Sequence, residues 1–267
     1  MSLSSLILFT FIPRIIAQQW TKMPGTATQI STNVDTVTMV DTAGYIHTWN
    51  GTNFVYLGGW GFQAAATLDG STWALSKITP PSNSCCVAYS TWRRQSASGW
   101  SSITNPSCEH LISISALAEY QAIAVSLTNK IHVFTRLDAN SSGWTQLPGS
   151  AISVAVGISL ENFMERWMVG VDKKTYRWVW DWTLTSRPFE ERGSWVQKPS
   201  SDAVQIDVHN ETRVAVINGA GEVYAWKTKD WARVPFSGQV SHVAVGASRI
   251  YVIKKDDNQI FYTTFYP

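Results

Sequence analysis

A tryptophan motif that recurs along the whole chain is the feature that most constrains its fold. The hexapeptide Trp20-Thr21-Lys22-Met23-Pro24-Gly25 returns as Trp144-Thr145-Gln146-Leu147-Pro148-Gly149. Weaker copies begin at other aromatic positions, which are Phe54, Trp100, Trp195 and Trp231. The anchors recur at intervals of about 35–50 residues, a spacing typical of supersecondary units that stack to bury a shared core. The chain is therefore predicted to consist of six such units.

Each unit contains the same series of short β-strands. An alternating stretch such as 203–207 follows the anchor, and an aliphatic run such as 214–217 comes next. A turn containing Gly, Asn or Asp then leads into a strand that ends in aromatic residues, such as 223–226. Short alternating runs between turn residues indicate strands, and a chain with 14 Trp and only 15% charged residues favours them too. Four strands in each of six units predict an all-β fold, a six-bladed β-propeller in one domain spanning residues 18–267.

The two ends of the chain are predicted to share the last blade. The chain enters the propeller with an anchor strand at residues 19–23 and ends after a third strand at residues 259–265. The last blade would therefore lack its outer strand unless the N-terminal segment supplies it. This pairing would close the ring and remove an exposed sheet edge.

The repeat resembles that of the tectonin family. The units from Trp20 to Trp49 and from Trp195 to Trp226 carry the resemblance, the second ending in Gly221-Glu222-Val223-Tyr224-Ala225-Trp226. Phe54 in place of Trp and insertions at 76–86 and 181–194 depart from the pattern. The resemblance implies a six-bladed propeller lectin, similar to fish-egg lectins and tachylectins. Such proteins bind carbohydrate and often recognise microbial surface sugars in innate immunity.

One face of the propeller is predicted to bind glycans through repeated loop sites. Connections between blades lie at the same end of the strands as connections between second and third strands. Trp60, placed between glycines, is the best candidate for an aromatic plate, and acidic or amide turn residues would bind sugar hydroxyls. The candidate carbohydrate-binding residues are Trp60, Phe62, Asp41, Tyr45, Asn129, Asp172, Asn218 and Asp257. The simpler interpretation of the Asp and Asn residues is that they shape the turns. The simpler interpretation of the anchor tryptophans is that they pack between blades.

Several features predict a secreted glycoprotein. Residues 1–17 contain an apolar run, which predicts a signal peptide. Sequons at Asn50, Asn140 and Asn210 predict glycosylation on the face opposite the sugar sites. In a secreted chain, three cysteines suggest one disulfide, from Cys108 to either Cys85 or Cys86. The leftover thiol would then allow a covalent homo-oligomer.

Other function classes are disfavoured by the sequence. The five His residues do not cluster, and motifs of hydrolases, zinc proteases and phosphate loops do not occur, so we expect neither an enzyme nor a cofactor or metal. The sequence does not indicate calcium, but it leaves a role for calcium open. A net charge of +2 without a basic run argues against nucleic acid as a partner. No apolar stretch beyond the N-terminus is long enough to span a membrane. The alternative interpretation is a non-catalytic structural or protein-binding propeller of an egg coat, mucus or matrix.

Overall fold

The structure is a computed structural model that describes residues 18–34, 36–77, 89–95, 99–106, 109–136, 142–159, 164–200 and 202–265. The predicted signal peptide, the three cysteines (Cys85, Cys86 and Cys108) and the sequon residue Asn140 lie outside the described residues. The described part contains 22 β-strands and one short 3-10 helix, Phe189–Glu191. Within it, no helix has the length and hydropathy that crossing a bilayer requires.

The strands pair into antiparallel groups of four, each strand with the next along the chain. Group 1 consists of residues 27–33 of β1 (Thr21–Asn33), β2 (Thr36–Asp41), β3 (Tyr45–Trp49) and β4 (Phe54–Trp60). Group 2 consists of β5 (Gln63–Ala66), β6 (Thr72–Lys77), β7 (Tyr89–Arg94) and β8 (Trp100–Ile103). Group 3 consists of β9 (Leu111–Ala118), β10 (Gln121–Ser126), β11 (Lys130–Arg136) and residues 142–150 of β12 (Ser142–Ile158).

The second half of the chain repeats this arrangement. Group 4 consists of residues 151–158 of β12, β13 (Met164–Gly170), β14 (Thr175–Trp180) and β15 (Gly193–Lys198). Group 5 consists of β16 (Ala203–Asn210), β17 (Arg213–Asn218), β18 (Val223–Lys227) and β19 (Asp230–Val234). Group 6 consists of β20 (Val240–Val245), β21 (Arg249–Lys254), β22 (Gln259–Thr264) and residues 21–26 of β1.

Each group buries both faces of its sheet against its neighbours. In β17, Val214 and Val216 pack into a cluster shared with group 4, while Ala215 and Ile217 pack into a cluster shared with group 6. Successive side chains of a strand point to opposite faces, so a continuous apolar run serves both interfaces. A single group could not bury its two apolar faces alone, which is why the units depend on one another.

The groups are arranged around a polar central channel. The first strands contact each other in the order β1, β5, β9, β12, β16 and β20, and β20 contacts β1 again. Their side chains line the channel, among them Gln29, Gln63, Gln205 and His242. The all-β prediction is therefore confirmed, and the groups have the radial arrangement of propeller blades.

The N-terminal strand pairs with the last strand of the chain, as the sequence predicted. In β1, Thr21 and Lys22 pair with Tyr262 and Phe261 of β22. The Thr263 hydroxyl donates to the carbonyl of Gln19 at 2.9 Å. A bulge between Lys22 and Thr26 then turns the same strand into the first strand of group 1. One continuous strand thus belongs to both ends of the ring.

Three glutamines on the channel strands bind the backbone of the following group. The Gln29 amide donates to Ala64 O at 2.8 Å and accepts from Ala64 N at 3.1 Å. Gln63 makes the same pair of bonds with Ile114, and Gln205 makes it with Val243. Each glutamine therefore satisfies one buried N–H and one buried C=O that no ladder partner reaches.

Shorter or ionisable side chains also bind the next group, some of them beside a glutamine and some at interfaces that have none. Hydroxyls of Ser31, Ser115 and Ser153 accept from backbone N–H groups of groups 2, 4 and 5. The Asp207 carboxylate accepts from Val245 N of group 6 at 2.7 Å, and His242 of group 6 is hydrogen-bonded to the backbone of Ile30 in group 1. These contacts, with the three glutamines, form a set that we call the channel latches.

A glutamine latch is expected to contribute measurably to stability. Gln29→Ala would leave the N–H and C=O of buried Ala64 without partners. Each unsatisfied buried group costs ~1–3 kcal/mol, so we expect a loss of about 2–4 kcal/mol in the free energy of unfolding. Denaturant unfolding measures it, with exposed Gln146→Ala as the matched control, expected to change stability by less than about 0.5 kcal/mol. Equal effects of the two substitutions would contradict the latch role.

The pKa values of two ionisable groups in the channel are shifted in opposite directions. Burial raises the pKa of Asp207 to about 7, against hydrogen bonds from the Val245 and Val208 amides. Burial lowers the pKa of His242 to about 4, against its hydrogen bond with the Ile30 backbone. The contribution of Asp207 to the free energy of unfolding is complete below pH 4 and is lost as the pH rises through 7. The contribution of His242 is complete above pH 6.5 and is lost as the pH falls towards 4.

Asp207→Asn is therefore expected to stabilise the protein increasingly as the pH rises from 4 to 7, and fully at alkaline pH. The amide keeps an oxygen acceptor for Val245 N but carries no charge to desolvate. We expect an unchanged melting temperature at pH 4 and a gain on the order of 2 kcal/mol at pH 8, since solvent in the channel screens part of the penalty. Thermal unfolding from pH 4 to 8 checks this. An equal shift at both pH values would show that packing, not ionisation, is responsible.

Candidate functional site

The turns between the second and third strands of the groups share one backbone conformation. A residue with positive φ occupies the same place in five groups, namely Gly44, Asn129, Lys173, Gly221 and Asn258. Glycine and asparagine tolerate this left-handed region, and a tight hairpin requires it. We call the end of the groups that carries these turns the upper end. Because strands alternate in direction, the connections between successive groups lie there too.

The Asp and Asn residues predicted to bind sugar hold these turns in shape. Asp41 Oδ1 accepts from the amides of Ala43 and Tyr45, both at 2.9 Å. Asn218 accepts from Ala220 and Glu222 in the same way, while Asp172 and Asp257 each accept from the residue two positions on. Asn129 acts through its backbone, with φ of 63°. Turn geometry therefore explains the backbone conformation of Asn129 and one side-chain oxygen of each of the other four residues.

A carboxylate next to a ring on the third strand recurs at the upper end of four groups. In group 1, His47 Nε2 lies 2.9 Å from Asp41 Oδ2. In group 3, His132 Nε2 lies 3.2 Å from Glu109 Oε2. The Tyr176 hydroxyl donates to Asp172 at 2.8 Å in group 4, and the Tyr224 hydroxyl donates to Glu222 at 3.0 Å in group 5. Positions 47, 132, 176 and 224 are equivalent in the repeat.

These four carboxylates remain ionised at neutral pH. Burial would raise the pKa of Glu109, but hydrogen bonds from Lys130, Ser126 and His132 outweigh it and lower the pKa to about 2. The Asp41 pKa is also lowered, since bonds from Tyr45, His47 and Ala43 exceed the effect of burial. Hydrogen bonds from Tyr176 and from the Asn218 amide are the main causes that lower the pKa of Asp172 and Glu222 respectively. Each pair thus presents a charged acceptor beside a ring.

The strand pairing adds a third side chain to each pair. The residue opposite the ring on the fourth strand is exposed in every case, namely Tyr56, Gln146, Gln197 and Arg233. We call each combination of carboxylate, ring and fourth-strand side chain a shelf. A shelf brings an ionised acceptor, a planar ring and an exposed polar or aromatic side chain together, although the ring of the group 3 shelf, His132, is itself buried.

Group 1 has the most aromatic shelf. Tyr45, Tyr56 and Trp60 are 48%, 56% and 47% exposed, although large aromatic side chains are usually buried. The Tyr45 and Tyr56 rings meet edge to face at 5.7 Å, and His47 lies 5.8 Å from Tyr56. A contiguous exposed aromatic surface of this kind is typical of a binding site.

Trp60 joins this shelf to a cleft between groups 1 and 2. Its indole N–H donates to Ala43 O at 3.1 Å, and the ring lies over Gly44, where a Cβ would come within 2.3 Å of Nε1. On its other side, Trp60 lines a mainly apolar cavity of about 310 Å³, bounded also by Trp92 and Trp100. The plate predicted from the sequence is therefore partly exposed and fixed in position by packing.

The anchor tryptophans pack between successive groups, as predicted, and they also bind the backbone of the preceding fourth strand or of the connection that follows it. Trp20, Trp100, Trp144 and Trp195 donate their indole N–H to the carbonyls of Pro235, Gly58, Thr104 and Pro148, at 2.7 to 3.1 Å. Trp231 lacks such a partner among the described residues. It lines a second cavity, of about 410 Å³, together with Asp202, Asn218 and the group 5 shelf residue Tyr224.

The structure brings together some of the predicted residues and separates others. Asp41 belongs to the group 1 shelf, with Tyr45 and Trp60 next to it, and Asp172 belongs to the group 4 shelf. Asn218 donates to Glu222 at 2.9 Å in group 5. Phe62, in contrast, packs against the buried cluster around Trp73 and Leu111, away from the shelf. Asp257 pairs with Lys254 at 3.3 Å beside Phe261, a ring that has no hydrogen-bonding atom.

Sequence reasoning missed the ring and fourth-strand members of the shelves. His47 and Tyr56 are nine positions apart, and only the hairpin register makes them neighbours. The recurrence of His or Tyr at positions 47, 132, 176 and 224 was the available signal, since a purely structural position would accept any β-forming residue. Within the described ranges, no group of three or more His, Cys, Asp or Glu residues is arranged to hold a metal ion.

The two described sequons lie at the end opposite the shelves. Asn50 is in the connection between the third and fourth strands of group 1, and Asn210 is at the turn between the first two strands of group 5. Both keep their Oδ1 atoms bonded to amides of the following residues. Glycosylation at these asparagines stays a prediction.

Comparisons with known proteins agree with this fold. The Tectonin domain family matches residues 10–174, which is more than half of the chain. No curated protein matches the chain. The β-propeller domain of Cps50 (Swd1) from Myceliophteria thermophila is similar in structure, with a TM-score of 0.60 and 8% identity over 93% of this chain and 100% of that one.

Two further solved structures show the same likeness. The RRP9 WD40 repeats have a TM-score of 0.54 and 9% identity over 92% of this chain and 96% of that one. Human WBSCR16 has a TM-score of 0.52 and 9% identity over 92% and 89%. At such identities the likeness concerns the fold alone, which is a β-propeller. With this fold and a family match over most of its repeats, the chain belongs to the Tectonin domain family.

Proposed function

We propose that this protein is a lectin that binds glycans on the shelves at the upper end of a six-bladed propeller. The recurrence of an ionised carboxylate, a ring and an exposed fourth-strand side chain in four groups carries the proposal. Sugars present an apolar ring face, which stacks on aromatic side chains, and hydroxyls, which bind charged acceptors. The shelves of groups 1, 4 and 5 combine both kinds of contact, whereas the group 3 shelf, in which His132 is buried, offers polar contacts. The resemblance to tectonin-repeat lectins supports the same function, on grounds that do not depend on the shelves.

Repetition at one end suits a dense glycan surface. Each shelf is small and shallow, so a single site would bind a sugar weakly. Four shelves on one rigid ring can engage a repetitive surface together, and linked weak sites gain 10²–10⁴-fold in apparent affinity. Microbial surface glycans have this density. Secretion and glycosylation at the opposite end, which leaves the shelves uncovered, complete the proposal.

Six blades and a shared last blade are part of the same proposal. The cyclic contacts of the first strands and the channel latches support this count, because each group is bound to the next and group 6 is bound to group 1. The pairing of β1 with β22 supports closure by the two ends of the chain. A rigid ring holds the shelves at fixed separations.

The proposal is binding without catalysis. Each shelf carboxylate is held by its own ring partner and by turn amides or a neighbouring cation. Glu165 and Glu211 approach one another, but Arg177 bridges both, at 2.6 to 3.1 Å, and so occupies the pair that a glycosidase would need free. In the proposed function the carboxylates therefore act as hydrogen-bond acceptors for sugar hydroxyls and transfer no protons.

A glycan array with a free monosaccharide as competitor tests the proposal. We expect saturable binding to a limited set of glycans, with loss of signal when the matching methyl glycoside is added at millimolar concentration. Charge-driven adhesion would respond to salt and not to the sugar, and would contradict the proposal. Binding only to a protein ligand, without sugar inhibition, would favour the structural or protein-binding alternative.

A further inference from the structure

We propose a second carbohydrate site, separate from the shelves, on the connection between β14 and β15 of group 4. This connection spans residues 181–192, whereas the same connection in group 1 spans 50–53. It lies at the lower end, opposite the shelves, because third-to-fourth connections and second-to-third connections occupy opposite ends of a meander. It also contains the 3-10 helix Phe189–Glu191. No repeat-based argument accounts for this insertion.

A buried cation fixes the insertion to the body of the propeller. Arg166 of β13 has a side chain only 1% exposed, and it donates to the Glu190 carbonyl at 3.0 Å and to the Glu190 carboxylate. Burial lowers the pKa of Arg166 to about 9, so the cation is retained at neutral pH. Breaking such a buried pair is strongly destabilising. The connection is therefore held in one position although it lies on the surface.

The cation supports a stack of aromatic rings. The guanidinium lies 4.6 Å from the centre of the Trp180 ring. Trp182 stacks on Trp180 with centroids 5.5 Å apart and planes only 6° from parallel. Phe189 lies 6.0 Å from Trp182. The parallel stack fixes the orientation of Trp182, which is 45% exposed.

Polar groups next to the rings complete the features of a sugar site. Asp181 Oδ1 accepts from the Thr183 amide at 3.0 Å and from its hydroxyl at 2.6 Å, and these bonds lower the pKa of Asp181. An ionised acceptor thus stands one residue from the exposed indole. Arg192 donates to the carbonyls of Arg187 and Thr185 and so shapes the rest of the loop.

The size of this surface favours a sugar over a protein. A stable protein interface buries about 800 Å² on each partner, with a well-packed aromatic centre and a wide polar rim. One half-exposed indole, one half-exposed phenyl ring and one carboxylate match the dimensions of a single hexopyranose that stacks its C–H face on Trp182. The choice of a sugar rests on the proposed function, but the site uses none of the shelf residues. Sites at both ends would let one molecule bridge two glycan surfaces.

Fluorine NMR of the full chain labelled with 5-fluorotryptophan tests the site directly. Trp182→Phe and Trp60→Phe assign the two resonances, and thermal unfolding checks that both variants fold. Methyl glycosides of glucose, galactose, mannose and N-acetylglucosamine are the probes. We expect at least one probe to shift the Trp182 resonance with a saturable millimolar curve, and Asp181→Asn to weaken that curve at least fivefold without changing the response of Trp60.

The outcomes separate this site from the proposed shelves. A shift of Trp60 alone would overturn the second site and leave the shelves standing. A shift of Trp182 alone would support the second site and count against the group 1 shelf. A Trp182 resonance that responds to protein concentration and to no glycoside would show that a second copy of the chain covers the rings, and this too would overturn the inference.

Discussion

Deletion of residues 18–24 is expected to lower the melting temperature by about 10 °C or more. These residues contain Trp20, whose indole packs edge to face on Phe236 at 4.9 Å and donates to Pro235 O at 2.7 Å. Removing a packed Trp side chain costs ~3–5 kcal/mol, and 1 kcal/mol corresponds to about 2–4 °C in a domain of this size. The deletion also removes backbone hydrogen bonds between β1 and β22 and leaves the edge of β22 unpaired. Terminal residues outside a sheet would cost far less.

A transplanted strand provides the control for this deletion. Thr21 pairs with Tyr262, and the Gln19 carbonyl accepts from Thr263, so residues 18–26 can follow residue 265 through a short turn and form a hairpin with β22. We expect this circular permutant, which begins at residue 27, to recover most of the lost melting temperature. A deletion that has no effect, or a permutant that recovers nothing, would contradict closure by the two chain ends.

Substitution of Tyr56 and Trp60 by Ala is expected to have the largest effect on glycan binding. The two side chains provide most of the exposed aromatic surface of the group 1 shelf. Because linked sites raise the apparent affinity together, loss of one site should lower the apparent affinity for a dense glycan surface by about 10-fold or more. Surface plasmon resonance on an immobilised polysaccharide from the array measures the change.

Val55→Ala is the matched control for the double variant. Val55 is 46% exposed and lies on the same strand next to Tyr56, so its substitution removes apolar area without touching a shelf residue. We expect it to bind as the unmodified protein does. Thermal unfolding of the double variant shows whether loss of the Trp60 packing over Gly44 has disturbed the turn. Full glycan binding by a folded double variant would remove the group 1 shelf from the proposed function.

The repeat and its closure were predictable because they follow from spacing along the chain. The anchor motif marks each fourth strand, and a chain that starts on a fourth strand and ends on a third leaves one pairing to be made. The turn roles of Asp41 and Asn218 were predictable for a related reason, since an oxygen acceptor two to four residues before the amides it binds is a local arrangement.

The contacts that depend on register were not predictable. The glycines Gly58 and Gly59 introduce a bulge in β4, which places Trp60 opposite Tyr45 while Tyr56 stays opposite His47. Without the bulge, the alternation along β4 would assign Trp60 a different neighbour. The channel latches were also missed, because the bond from Gln29 to Ala64 joins two groups and has no counterpart in the periodicity of either one.

A crystal structure of the protein soaked with the monosaccharide that competes best on the glycan array tests the central claim most directly. The account predicts a sugar ring stacked against the aromatic surface of Tyr45, Tyr56 and Trp60, with at least one hydroxyl bound to Asp41. Equivalent density on the shelves of groups 3, 4 or 5 would extend the result to the repeat. The account would be contradicted if the shelves are empty although no neighbouring molecule in the crystal blocks them, while the same sugar binds elsewhere on the protein or inhibits binding to the array.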